Sequence, residues 1–424
     1  MRIWLVTVGE PWPTDGNLPR LHRTGINAGF LAGQGHEVVS WSGTFDHASK
    51  TERRESDVEL LAPQGYRLIG IHAGTYERNV SLKRIAYHRA VTRKFVQMAQ
   101  KEPPPDVIVV SLTPLELARA AVAYGRKANI PVVVDVRDMW PDIWAEKLPG
   151  ALQPIKGLIF APFYNDLKNA VRGATSLIGI TESAIDWALA NAGRARGPLD
   201  RAYPLIYSTE PPAEDKIVAA ERHWRSLGIG SNPHELVGCF FGTFTTRVDF
   251  ETPLKAVSEM PESLRSRVKL VLCGRGEDEA LIRRYAAKTT QIIVHEWVDA
   301  PEIMALMRLS NFGLLPYRPT LDFIRSLPNK VFEYLNGGLP IFTSLRGEVE
   351  ALFSEYSCGA LYETQVPRSF ETLIARFIST PEQLVRLADG ARAAGKAYDP
   401  ISTCHNFEAY LKGLTGRKSG ACIA

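Results

Sequence analysis

The sequence contains few cysteines, and these are scattered. They lie at Cys239, Cys273, Cys358, Cys404 and Cys422 of a 424-residue chain, with no CxxC pair and no cluster of cysteine and histidine. An odd, dispersed set argues against both a disulfide framework and a structural zinc site. It is typical of a reducing compartment, so we expect a cytoplasmic location.

Long hydrophobic runs are also missing. No stretch approaches the roughly 20 apolar residues that a membrane-spanning helix needs. The apolar run at the start meets Glu10 and Pro11 and is too short for the apolar region of a signal peptide. We therefore expect a soluble or peripheral protein, with the inner face of the cell membrane as an alternative location.

No sign of charge dominates the composition. The chain has 50 Lys+Arg and 46 Asp+Glu, a net charge of +4, which is too balanced for a typical nucleic-acid partner. With 45% hydrophobic and 23% charged residues, the protein is predicted to be globular. Its length predicts two or three domains.

Several sequence motifs of known chemistry are absent. After the first predicted strand, the chain reads Gly9-Glu10-Pro11 rather than a GxGxxG loop opening a helix. We find no GxxxxGK[ST], GxSxG or HExxH segment, which argues against P-loop, serine-hydrolase and zinc-protease chemistry. The acids Asp135 and Asp138 have the wrong spacing for a metal-binding DxD. We predict no bound metal.

Short β-branched runs alternate with longer helical stretches along the whole chain. This rhythm predicts parallel sheets with crossover helices, hence an α/β fold of two doubly wound domains. A proline-rich stretch near Tyr203–Ala213 reads as a linker. We predict a first domain over 1–205, a second over 206–395, and a C-terminal helix and tail over 396–424 that returns to the first domain.

Two helix starts carry cap signals. Thr113-Pro114-Leu115-Glu116 and Asp299-Ala300-Pro301-Glu302 each place a capping oxygen, a proline and a glutamate as in a capping box. In such sheets, ligands bind beyond the carboxyl ends of the strands, so two facing domains predict a site in a cleft.

The most informative stretch runs from Arg325 to Pro340. Ser326 is predicted to cap a helix, whose first amides would then be free to bind an anion. Arg325 and Lys330 add positive charge there, and Glu333 is placed to accept hydrogen bonds from a vicinal diol such as a ribose. The alternative is a capped helix whose charges are only solvated.

Pro328–Pro340 reads PxKxFEYxxxGxP and resembles the C-terminal domain of retaining glycosyltransferases of the GT-B fold, in glycosyltransferase family 4. The resemblance spans most of the chain. It implies two Rossmann-like domains facing a central cleft, and it assigns Glu333 to the nucleotide ribose. A second family glutamate is replaced by Arg325, with Asp322 available only from a shifted position. Such departures resemble the subgroup that builds capsular, O-antigen or exopolysaccharide repeats.

The resemblance implies further donor contacts in the second domain. The expected nucleotide-sugar residues are Gly242, Thr243, Arg247, Gly274, Val298, Arg325, Ser326, Leu327, Pro328, Lys330 and Glu333. Arg247 and Lys330 would neutralise the diphosphate of the donor. A UDP-sugar is the favoured donor, and no metal or other cofactor is expected. The alternative for Arg247 is a surface arginine without a ligand. The alternative for Trp297, which precedes Val298, is an ordinary core residue.

In the first domain, Arg137 and Asp138 follow a buried strand and are the catalytic candidates, because charges at that position are costly unless they are used or paired. A structural Arg–Asp pair is the alternative. The acceptor side is predicted to include Asp15, Gly16, Asn17, Arg20 and His22. The incoming hydroxyl would attack from the face that the nucleotide leaves, which gives retention.

The resemblance implies transfer of a sugar to a glycan or lipid-linked acceptor in surface polysaccharide biosynthesis. A basic amphipathic stretch over 78–101 is typical of contact with an anionic membrane, although a helix packed on the core fits it equally.

Two alternative functions remain. One is a UDP-N-acetylhexosamine 2-epimerase of the same fold, and the other is a periplasmic-type binding protein, which would need a signal peptide.

Overall fold

A computed structural model describes residues 1–16, 20–206 and 211–416 of the chain. They form two compact units: Met1–Thr209 together with Pro400–Ala424, and Glu210–Asp399. Each unit is built around its own sheet.

The first unit contains an eight-stranded sheet in the order β10-β9-β8-β7-β1-β2-β6-β5. The strands are β1 (Arg2–Val6), β2 (Glu37–Gly43), β5 (Val58–Leu61), β6 (Arg67–Ile71), β7 (Val107–Ser111), β8 (Val132–Val136), β9 (Ser176–Gly179) and β10 (Arg201–Ala202), with a separate short pair β3 (Phe45–Asp46) and β4 (Thr51–Glu52). Only β5 is antiparallel to its neighbour in the eight-stranded sheet. The central strands β7 and β8 are buried throughout, as expected of a parallel sheet covered on both faces.

Helices cover both faces of this sheet. They are α1 (Arg23–Gly33), α2 (Leu82–Ala99), α3 (Leu115–Ala128), α4 (Asp142–Ala145), α5 (Lys156–Ile159), α6 (Ala161–Gly173) and α7 (Glu182–Ala192), with a 3-10 helix over Gly150–Ile155. The apolar side of α2 packs inward through Tyr87, Val91 and Phe95. Of the two alternatives for the 78–101 stretch, the structure therefore shows the helix packed on the core.

The second unit contains a six-stranded parallel sheet in the order β13-β12-β11-β14-β15-β16. Its strands are β11 (Leu236–Phe241), β12 (Val268–Cys273), β13 (Ile292–His295), β14 (Phe312–Leu315), β15 (Ile341–Thr343) and β16 (Gly359–Leu361). Its helices are α8 (Glu214–Ser226), α9 (Glu251–Glu259), α10 (Glu262–Arg265), α11 (Glu279–Ala286), α12 (Ala300–Leu309), α13 (Leu321–Ile324), α14 (Asn329–Asn336), α15 (Glu348–Tyr356), α16 (Pro367–Ser379) and α17 (Pro381–Ala397). The predicted pair of Rossmann-like, doubly wound α/β folds is confirmed.

The last helix, α18 (Pro400–Gly416), belongs to the first unit. Its side chains Phe407, Tyr410, Leu411 and Leu414 join the core beneath β1 and β7. His36 Nε2 also lies 2.8 Å from the Glu408 carboxylate, which ties the helix to the start of β2.

The strand order reverses once in each sheet. The chain leaves β1 for β2 on one side and later returns to place β7 on the other. In the second unit, the same reversal lies between β11 and β14. Ligands of open α/β sheets bind beyond the strand ends at such a reversal. We therefore expect ligand contacts in the loops after β1, β7, β11 and β14.

One predicted cap is confirmed and two are wrong. Asp299 forms the expected capping box with Glu302 at the start of α12. The helix α3 instead begins after Pro114 with no side-chain cap, and the buried Thr113 hydroxyl has no hydrogen-bond partner. Ser326 caps nothing, because α14 begins at Asn329 with extended Pro328 as its N-cap. A residue before proline avoids helical geometry, so Leu327 cannot belong to the helix.

Over the described ranges, no helix is long and apolar enough to cross a membrane.

Candidate functional site

Three glycines line the strand ends of the second unit. Gly242 follows β11 with φ +139°, while Gly274 and Gly276 follow β12 with φ +152° and +149°. A Cβ on Gly274 would lie 1.9 Å from the Gly242 carbonyl oxygen, a distance no real pair of atoms adopts. Glycine is therefore required at position 274, where it brings the two loops into backbone contact.

The ammonium of Lys330 lies against this loop. A Cβ added to Gly242 would come within 2.5 Å of the Lys330 Nζ, and that Nζ sits 5.0 Å from the centre of the Phe240 ring. Lys330 is in the first turn of α14. The structure thus brings together the predicted residues Gly242 and Lys330 at the carboxyl end of the central strand.

Glu333 follows Lys330 by three residues and so projects from the same side of α14. Its side chain is buried, with 3% of the residue exposed. Burying a carboxylate costs free energy unless its oxygens accept hydrogen bonds or pair with a cation. A cation and a buried acid therefore lie on one face of α14, at the reversal between β11 and β14.

The link between α13 and α14 contains the other predicted residues of this stretch. Arg325 is the C-terminal cap of α13, Leu327 is buried with 5% exposed, and Pro328 precedes α14. The side chain of Leu327 packs in the core.

Arg247 is paired within its own unit. Its guanidinium forms an ion pair with Asp322 and lies 4.3 Å from the centre of the Phe323 ring. Thr243, in the same loop, is exposed. Asp322 lies near the position of the missing family glutamate. Its carboxylate is already paired with Arg247.

Two residues after β13 differ in exposure. Val298 is buried with 8% exposed, whereas Trp297 is 61% exposed. The core alternative for Trp297 is therefore wrong. An exposed indole beside a strand end offers a flat apolar face at the edge where a ligand is expected.

In the first unit, Arg137 is enclosed by polar partners. Its Nε donates to Asp135 at 2.7 Å, its Nη2 donates to the Thr24 hydroxyl at 2.9 Å, and its Nη1 pairs with Glu10. Burial alone would raise the pKa of Glu10, but the charge of Arg137 lowers it overall. Arg137 thus forms a structural Arg–Asp pair, with Asp135, which was the alternative to a catalytic role. Asp138, the next residue, is exposed.

The predicted acceptor-side residues have different surroundings. Asp15 accepts two hydrogen bonds from the Arg53 guanidinium at 2.7 and 2.6 Å. Gly16 has φ +65° and open space where a Cβ would be. Arg20 and His22 are exposed. Asn17 lies outside the described residues.

Sequence reasoning missed Glu10, Thr24 and Arg53. Glu10 was open to prediction, because it closely follows β1 at the strand reversal of the first unit. Thr24 and Arg53 carried no signal, since their partners are distant in sequence.

No group of three His, Cys, Asp or Glu side chains within the described ranges is placed to hold a metal ion. The four cysteines of those ranges are buried and form no disulfide with one another.

Comparisons with known proteins agree with this architecture. Residues 28–200 match the family described as "Glycosyl transferase 4-like domain", and residues 228–394 match "Glycosyl transferases group 1". None of the curated proteins compared with the chain matches it.

Several solved structures have the same fold. Sucrose-phosphate synthase from Thermosynechococcus elongatus is 16% identical with a TM-score of 0.71, the match covering 98% of this chain and 99% of that one. HepE from Anabaena, solved with UDP, is 15% identical with a TM-score of 0.65 and coverages of 97% and 99%. WaaG, a glycosyltransferase involved in lipopolysaccharide biosynthesis, is 14% identical with a TM-score of 0.64 and coverages of 97% and 100%.

At these identities, structural likeness speaks for the fold only, whereas the family matches rest on the sequence of each half. This chain is therefore a glycosyltransferase of the GT-B fold, composed of a glycosyl transferase 4-like domain followed by a glycosyl transferases group 1 domain.

Proposed function

We propose that the protein is a retaining glycosyltransferase that moves a sugar from a nucleotide-diphosphate sugar, with UDP favoured, to a glycan or lipid-linked acceptor in surface polysaccharide biosynthesis. Residues 206–395 would bind the donor and residues 1–205 the acceptor. HepE from Anabaena has been solved with UDP-glucose, and WaaG is described as acting in lipopolysaccharide biosynthesis. Both support this choice of substrates.

One observation carries the proposal: Lys330 and Glu333 share a helix face at the glycine-lined end of β11. The ammonium would neutralise the leaving diphosphate, since charge that develops in the transition state is stabilised by donors already in position. The glycines would let backbone amides approach the phosphates, and Glu333 would accept hydrogen bonds from the ribose.

Titration with UDP tests the donor assignment. Glu333→Gln keeps the shape of the side chain but removes its charge, and should weaken UDP binding at least tenfold in calorimetry, since a hydrogen bond to a charged group contributes about 1.5–3 kcal/mol. Lys288→Gln, at an exposed position in the turn after α11, is the control. If UDP, GDP and TDP all leave the melting temperature unchanged, the proposal fails.

Asp138 is proposed to act on the acceptor side of the reaction. Asp138→Asn should reduce kcat by tenfold or more, while the Kd for UDP stays within twofold. Steady-state transfer assays with the identified donor measure both. Unchanged turnover would move the catalytic group elsewhere.

Retention and independence from metal are also part of the proposal. NMR of the first-formed product should show the same anomeric configuration as the donor, and EDTA should leave the rate unchanged. Inversion would contradict the stereochemical proposal. Epimerisation of UDP-N-acetylhexosamine without an acceptor would favour the epimerase alternative instead.

We also propose peripheral contact with an anionic membrane, through the segment 147–160 rather than through α2. Four large apolar side chains of this segment are exposed: Leu152 at 39%, Ile155 at 47%, Leu158 at 78% and Ile159 at 41%. The segment contains Lys147 and Lys156 and no acid. Apolar residues flanked by lysines suit the interface of an anionic bilayer.

A further inference from the structure

A group of basic and aromatic side chains in the first unit is not explained by the donor site. We call it the aromatic–basic cluster and define it as His47, Lys50, Tyr76, Arg84, Trp140 and Trp144. These residues come from the segments after β2, β6 and β8 and from the first turn of α2. Because parallel strands end at one edge of a sheet, the cluster lies at the edge where ligands of this unit are expected.

The cluster also reaches the loop after β1. A Cβ added to Gly9 would lie 3.4 Å from the Cβ of His47. The His47 ring is therefore a neighbour of the strand-reversal loop that leads to Glu10.

Arg84 is held in place by rings rather than by an acid. Its guanidinium carbon lies 4.6 Å from the centre of the Trp140 ring and 5.6 Å from that of Tyr76. Its Nη1 donates to the Asn79 carbonyl at 2.8 Å, while its buried Nε has no hydrogen-bond partner. Trp140 and Trp144 are more than nine-tenths buried, so they support the guanidinium and leave little ring face for a sugar.

Lys50 adds a second cation beside Arg84. Its Nζ donates to Asn79 Oδ1 at 2.5 Å and lies 5.1 Å from the centre of the Tyr76 ring. Asn79 and Tyr76 are thus contacted by both cations.

No carboxylate in the described ranges lies within ion-pair distance of Arg84 or Lys50. Asp138 acts on Arg84, and Asp46 on Lys50, only at longer range. Asp46 is itself engaged by Ser49 and by its own turn. Partly buried cations without a counter-charge are costly, and stacking on aromatic rings offsets only part of that cost.

The histidines of this region add no further charge near neutral pH. Burial and the charges of Arg84 and Lys50 lower the pKa of His47 to about 4. Burial, together with Arg84, lowers the pKa of His88 to about 3. Both shifts fit surroundings that are already positively charged.

We infer that Arg84 and Lys50 form a subsite for an anionic group on the acceptor, a carboxylate or a phosphate attached to a sugar. The inference rests on the proposed function, since it names the class of acceptor for the same enzyme. The guanidinium is suited to hydrogen-bond either group through its parallel N–H donors.

The test measures binding of three sugars to the full chain in the presence of saturating UDP. Glucuronic acid and glucose 6-phosphate are the charged probes and glucose is the neutral one, with dissociation constants from ligand-observed NMR. At least one charged probe should bind tenfold or more tightly than glucose, and 0.5 M NaCl should reduce that preference. Which charged sugar binds identifies the carboxylate or the phosphate as the source.

Variants separate the subsite from a structural role. Arg84→Gln and Lys50→Gln should each bring the charged probe close to the glucose value, whereas Arg84→Lys should retain part of the preference. Arg89→Gln, at an exposed position on α2, is the control. Lys50→Gln keeps the test valid if Arg84→Gln does not fold.

Two results would overturn the inference. One is equal binding of charged and neutral sugars. The other is binding of inorganic phosphate as tightly as both charged sugars, which would indicate an anion site unrelated to a sugar acceptor. UDP binding is measured in the same samples, so its loss would count against the proposed function, and its persistence without anion preference against the subsite alone.

Discussion

Gly274 illustrates how one residue controls the donor end of the second sheet. Its φ of +152° and its contact with the Gly242 carbonyl leave no room for a side chain. Gly242 in turn lies against the Lys330 ammonium. A change at position 274 would therefore displace both loops and the lysine.

We predict that Gly274→Ala destabilises the protein by at least about 2 kcal/mol, because backbone strain of this kind costs about 1–3 kcal/mol and the new methyl overlaps a carbonyl. Urea unfolding of the variant measures the loss. Gly413→Ala is the control, since Gly413 lies inside α18 with nothing within 4 Å of an added Cβ. It should stabilise the helix by about 0.5–1 kcal/mol. An unchanged midpoint for Gly274→Ala would show that the loops can separate.

At the scale of elements, the amphipathic pattern of α2 is used inside the first unit. Tyr87, Val91 and Phe95 are buried against the core, whereas Lys83, Arg89 and Arg93 are exposed. The segment over Gly150–Ile159 differs, because none of the residues in its 3-10 helix or in α5 is buried. Only burial distinguishes these two segments, since both combine lysine or arginine with apolar residues in the sequence.

We predict that Leu158→Ser with Ile159→Ser reduces binding to vesicles containing anionic lipid at least fivefold, because burying each apolar side chain in the interface contributes about 1.5–3 kcal/mol. Flotation at low salt measures the bound fraction. Val385→Ser, at another exposed apolar position that is 59% exposed, should bind as the unchanged protein does. Equal flotation of all three proteins would exclude this segment as the membrane contact.

At the scale of the whole molecule, each unit joins residues far apart in sequence. The helix α18 contributes to the core of the first unit some 400 residues after β1. Buried titratable groups of that unit make its stability depend on pH. The folded-state pKa of His47 and of His88 is lowered well below the ordinary value of 6.5.

The unfolded chain therefore binds more protons than the folded one between about pH 4 and 6.5, and stability should fall as the pH decreases through that range. Urea midpoints at pH 7, 6 and 5 measure the slope. His47→Gln should flatten it, while His234→Gln, in an exposed loop of the second unit, is the control. An equal slope for His47→Gln and the unchanged protein would contradict the assignment.

Most of the fold was predictable from the sequence, and less of the site. The alternation of apolar strands and helices determines two α/β units, because a parallel sheet must bury both faces. The contiguous stretch from Pro328 to Pro340 likewise determines that Lys330 and Glu333 share a helix face.

The sequence did not predict where α14 begins or which cations have acid partners. Those features depend on contacts between distant segments. Arg247 meets Asp322 across 75 residues, and Arg137 meets Glu10 across 127, while Arg84 meets rings instead of a carboxylate. Local patterns set the composition and periodicity of each element, and the scarcity of cysteine leaves packing rather than disulfides to hold them. Only tertiary packing decided which charges are neutralised inside the protein and which stay available for a ligand.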